Sequence, residues 1–93
     1  TPVFNTESIE SGVQCGNENI THTLRFHDGK YYLISVNLTE EAQTASFRLE
    51  SSLFPQNGRV EVLFETEKLS YQGFLLNVRY EPLERKVLCI GKK

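Results

Sequence analysis

The sequence predicts an all-β fold, an antiparallel β-sandwich of about 6–8 short strands. Three observations carry that prediction. Apolar residues recur two apart through most of the chain, the period of a strand rather than of a helix. The turn dipeptides Asp28-Gly29 and Asn57-Gly58 punctuate these runs. The run from His27 to Thr39 is the most hydrophobic, β-branched and aromatic of the sequence, and it reads as a central strand.

Ninety-three residues make one domain. The apolar fraction of 39% with a net charge of −2 is not a disordered composition. Ten basic residues against twelve acidic ones leave no basic stripe, which argues against a nucleic-acid partner. The longest apolar run falls far short of the roughly 18–20 residues that span a bilayer, so no membrane insertion is expected.

Residues 1–14 are polar and irregular and read as an N-terminal arm or linker; residues 15–93 read as the single sandwich domain. Ile20 to His27 alternates, with Ile20, His22, Leu24 and Phe26 on the inner face. Asp28-Gly29 then makes a type I′ hairpin turn, which needs positive φ at both central positions. In the strand that follows, Tyr32, Ile34, Val36 and Leu38 share the more apolar face, while Tyr31, Leu33, Ser35 and Asn37 share the other. Ala45, Phe47 and Leu49 point inward from a third strand. Ser51 to Gly58 is a loop with Leu53 or Phe54 as a hydrophobic plug. Val60, Val62 and Phe64 face inward from the next strand, and a short edge strand lies around Leu69. Phe74, Leu76, Val78 and Tyr80 alternate cleanly until Pro82, which cannot continue a paired ladder. Lys86, Leu88 and Ile90 share one face of the last strand, Val87 and Cys89 the other.

Few residues suggest chemistry. His22 and His27 are five apart in one strand and point to opposite faces, so they cannot share a metal there. No serine lies in a G-x-S-x-G context, and no carboxylate pair is placed to flank a cleft. No catalytic residue, metal or cofactor is expected. Cys15 and Cys89 are separated by 73 residues. A bridge between them would be worth roughly 4–5 kcal/mol in the chain-entropy model, and the sequence is read with that disulfide; two buried free thiols are the alternative. Tyr31, Tyr71 and Tyr80 are candidates to stack on sugar rings or to touch a neighbouring domain. Asn19-Ile20-Thr21 and Asn37-Leu38-Thr39 are acceptor sequons, making Asn19 and Asn37 candidate glycosylation sites.

Asp28 to Thr39, followed by Thr44-Ala45-Ser46-Phe47, resembles a recurring pattern. It looks like the β-sandwich that follows the (β/α)₈ catalytic barrel of many glycoside hydrolases. There a strand ending in Val-Asn leads through a polar turn to a strand carrying Ala-x-Phe. Arg79 to Ile90, with Tyr80-Glu81-Pro82-Leu83-Glu84, is similar to the closing strand of that family, and Val60 to Glu65 suits its middle strand. The resemblance covers roughly residues 24–90. The Cys15/Cys89 pair and Leu88, where the family carries an aromatic, depart from it. The two sequons point to an extracellular, periplasmic or cell-surface location, and the resemblance implies a non-catalytic accessory domain. Its partner would be a catalytic domain in the same chain. A carbohydrate-binding module and an immunoglobulin-like interaction domain are the alternatives. The latter is weakened by the missing tryptophan.

Overall fold

The alternation becomes nine antiparallel strands in the computed structural model, which describes the backbone of residues 7–8 and all of residues 12–93. They are β1 (Glu7–Ser8), β2 (Val13–Cys15), β3 (Ile20–His27), β4 (Lys30–Asn37), β5 (Gln43–Leu49), β6 (Gly58–Val62), β7 (Lys68–Tyr71), β8 (Leu75–Tyr80) and β9 (Arg85–Gly91). Six form one sheet in the order β1-β3-β4-β9-β6-β7, and three form the other in the order β2-β5-β8. The expected all-β sandwich is therefore present. Of the stretch read as an arm, Val13 and Gln14 pair with Leu49 and Arg48, and Glu7–Ser8 pairs with the edge of β3. The rest of that stretch, apart from Gly12, lies outside the described residues.

The core lies between the two sheets. Leu24, Leu33, Leu88, Ile90, Val60 and Val62 enter it from the larger sheet. Ala45, Phe47, Leu49, Leu76, Val78 and Tyr80 enter it from the smaller one. Phe54, the expected plug, is fully buried, its ring centroid 4.7 Å from that of Tyr31. At roughly 1.5–3 kcal/mol per large apolar side chain, this double layer is the main force holding the sheets together.

Turn chemistry fixes the register. Asp28 and Gly29 both have positive φ, 53° and 80°, as a type I′ turn requires, and Phe26 then faces Tyr31 across the hairpin. Asn57-Gly58 differs from the expectation. Gly58 begins β6, and its role is close approach, because a Cβ there would lie 2.9 Å from the Tyr71 ring. Asn57 instead accepts a hydrogen bond through Oδ1 from the Gly73 N–H.

The inward face of β4 is the reverse of what apolarity suggests. Tyr31, Leu33, Ser35 and Asn37 are buried, whereas Tyr32, Ile34 and Val36 are half-buried on the outside and Leu38 is exposed. Register decides it: Leu33 stands opposite both Leu24 and Leu88, two core residues, and the period of two sets the rest. Phe64 is a second correction. It lies in the turn after β6, 97% exposed, rather than continuing the inner face of that strand.

Candidate docking face

The residues singled out by sequence are placed as follows. Cys15 and Cys89 are free thiols, so no disulfide links them. Cys15 sits on β2 and packs half-buried against the core. Cys89 lies between Leu88 and Ile90, which both enter the core, so its side chain leaves through the opposite face of the larger sheet. Burial pushes the Cys89 thiol up, and Glu61 adds to this while Lys30 and a Tyr32 hydrogen bond oppose it.

Tyr31, Tyr71 and Tyr80 are all buried, and none offers a ring face to a sugar. Tyr71 donates its hydroxyl to the Pro55 carbonyl at 3.0 Å, and burial raises its pKa. Tyr80 is fully enclosed, with its hydroxyl against Ser35 Oγ; burial lifts it to about 12, against the lowering effect of that hydrogen bond. Asn19 is exposed in the turn before β3, where a glycan has room. Asn37 is fully buried, and its amide nitrogen donates to the Glu41 and Glu81 carbonyls at 2.7 and 3.0 Å. A glycan on Asn37 would break both bonds, so this sequon is structural.

Around Asn37 lies a polar cluster at one end of the sandwich. Lys86 is buried on the inner face of β9, 3.3 Å from Glu67 and 3.5 Å from Glu84, with its Nζ 6.0 Å from the Tyr80 ring centroid. Burial alone would lower the Lys86 pKa, but the hydrogen bond to Glu67 and the charges of Glu84, Glu67 and Glu65 outweigh it and raise it. Lys86 is thus paired with two carboxylates at this end of the sandwich. Among the described residues, no group of three or more His, Cys, Asp or Glu side chains could hold a metal ion.

The feature that stands out is the outer face of the six-stranded sheet. Ladder partners share a face, so the pairings give its rows directly. Arg25, Tyr32, Cys89 and Glu61 form one row. Thr23, Ile34 and Val87 form the next, continued by Leu63, whose N–H donates to the Val87 carbonyl. Thr21, Val36 and Arg85 form a third. Tyr32, Ile34, Val87 and Leu63 floor a groove of about 430 Å³, and Phe64 stands at its side. Arg25, His27 and Arg85 line it as well.

Comparison of the chain with models of known families, with curated proteins and with solved structures finds no match. No helix among the described residues is long and apolar enough to cross a membrane.

Sequence shows that Tyr32, Ile34 and Val36 share the more apolar face of β4 but not that this face points outward; the strand's two-sided apolarity is the available signal. A strand with apolar residues on both faces is the mark of a sheet covered on both sides.

Proposed function

We propose that this domain is a non-catalytic accessory β-sandwich that packs on, and stabilises, the catalytic barrel of a glycoside hydrolase. The observation that supports it is the second apolar face. Strands β4 and β9 spend Leu33, Leu88 and Ile90 on the domain's own core. They still present Tyr32, Ile34, Val36 and Val87 on the far side, only half-buried. An apolar face of this kind, larger than scattered surface residues, is typical of an interaction site. The order of segments that carries the family resemblance fits the same reading. Those segments are β4 with the turn after it, then β5, β6 and the β8–β9 pair.

In this reading the domain supplies no reacting group. It covers part of its neighbour and is covered in return, and the exposed Asn19 sequon supports an exported location. Tyr31, Tyr71 and Tyr80 are buried and so take no part in this reading, whether as sugar platforms or as contacts to a neighbouring domain.

The test is deletion of residues 12–93 from the full-length natural polypeptide. Glycosidase activity should be measurable in the intact protein, and the deletion should lower the melting temperature of the remaining catalytic domain. An intact protein without glycosidase activity, or a deletion without effect on melting, overturns the reading.

A further inference from the structure

We infer that the outer face of the six-stranded sheet docks onto a partner-domain surface with an acidic rim around an apolar centre, into which Phe64 inserts. This rests on the accessory-domain reading and adds to it the face, the anchor and the chemistry of the partner.

The first support is the segregation of charge. The chain as a whole is acidic, at −2. Yet the outward positions of β3, β4, β6, β7 and β9 carry Arg25, Lys30, Arg59, Lys68 and Arg85 against the single carboxylate of Glu61. The other acids of residues 12–93 lie off the strands: Glu18, Asp28, Glu40, Glu41, Glu50, Glu65 and Glu81 are in loops and turns, Asp28 in the β3–β4 hairpin and Glu65 next to Phe64. Glu67 and Glu84 are turned to Lys86. The cations stand around the apolar floor rather than on it: Lys30 and Arg59 flank Gly91 at one end, and Arg85 stands beside Val36 at the other. An apolar centre inside a charged rim is the anatomy of a protein interface. Charge complementarity then requires carboxylates opposite, because like charges across an interface cost several kcal/mol. The same argument disfavours a symmetric pairing of two copies, which would set these cations against themselves.

The second support is Phe64. It is 97% exposed and holds φ at 67°, a left-handed conformation that a side chain pays to adopt. The turn thus keeps a whole aromatic ring in solvent at the margin of the groove, beside Leu63 and Val87. Buried aromatic anchors of this kind carry most of the energy at interfaces.

The experiment uses the full-length natural polypeptide, with calorimetry of the catalytic-domain transition. The double substitution Arg25→Glu/Arg85→Glu, and separately Phe64→Ala, should each lower that transition by about 4 °C or more. Arg48→Glu/Arg79→Glu, on the opposite sheet, should leave it in place. Carbodiimide cross-linking should join Lys30 or Lys68 to carboxylates outside residues 1–93. If deletion of residues 12–93 destabilises the catalytic domain but neither face variant does, the accessory reading survives and this face is wrong. If the deletion is also silent, both fail. Cross-links only between two copies of this domain, or binding of a single-stranded RNA that Arg25→Glu/Arg85→Glu abolishes, would overturn the proposal in favour of those occupants.

Discussion

Asn37 shows how much a single buried side chain can organise. Its amide nitrogen ties the Glu41 and Glu81 carbonyls, and its oxygen accepts from the Thr39 N–H and hydroxyl at 2.9 and 2.8 Å. One residue thereby joins the loop after β4 to the loop after β8. Asn37→Ala would remove four hydrogen bonds and leave the Thr39 N–H without its partner, while the Glu41 carbonyl keeps the Thr39 hydroxyl and the Glu81 carbonyl keeps the Glu84 N–H, at a cost of about 1–3 kcal/mol. Urea denaturation should show that loss as a lower midpoint with an unchanged slope. The same residue explains a misreading. Asn37 and Ser35 make one face of β4 look like the wet one, because sequence records their polarity but not the hydrogen bonds that satisfy it inside.

The strands themselves were legible wherever alternation and turn chemistry agreed. Leu24 in β3, Phe47 in β5 and Val78 in β8 all face inward as the period of two requires, and Asp28-Gly29 makes the hairpin. Legibility failed where an element ended. Nothing in Val60-Glu61-Val62-Leu63-Phe64 announces that the alternation stops at Val62 and that Phe64 turns out to solvent. At Gly73 the sequence marks the break between strands but not the change of sheet: Gly73 and Phe74 both have positive φ, and Gln72 bridges Leu75 as the chain leaves one sheet for the other. The turn after β6 offers a direct test. Phe64→Gly removes left-handed strain worth about 1–2 kcal/mol and adds roughly 0.5–1 kcal/mol of backbone entropy to the unfolded chain. The net effect on the stability of the domain should be neutral to slightly stabilising by thermal melting. A clear destabilisation would show that the ring packs on the domain itself.

At the scale of the whole molecule, the buried ionisable groups set the alkaline limit: Tyr80 and Lys86, joined by Tyr71 and Cys89, which burial also raises. The Tyr80 phenol is raised from about 10 in the unfolded chain to about 12 in the folded one, chiefly by burial. Its contribution is complete below about pH 10 and fades as pH climbs towards 12. It amounts to roughly 3 kcal/mol. Lys86, also raised, has the same sign: its ion pairs stabilise while it is protonated and are lost above its ordinary range. Stability measured by urea should therefore be flat through neutral pH and fall steeply above about pH 10, and Tyr80→Phe should make that fall shallower. A final consequence comes from the order of strands. The last strand, β9, is wedged between β4 and β6 in the middle of the larger sheet. During synthesis, neither neighbour can find its partner until residues near the C-terminal end of this segment have left the ribosome. Until then the nascent chain carries two unpaired apolar edges. A ribosome stalled before Arg85 would release a fragment primed to aggregate, and chaperones would have to shield it.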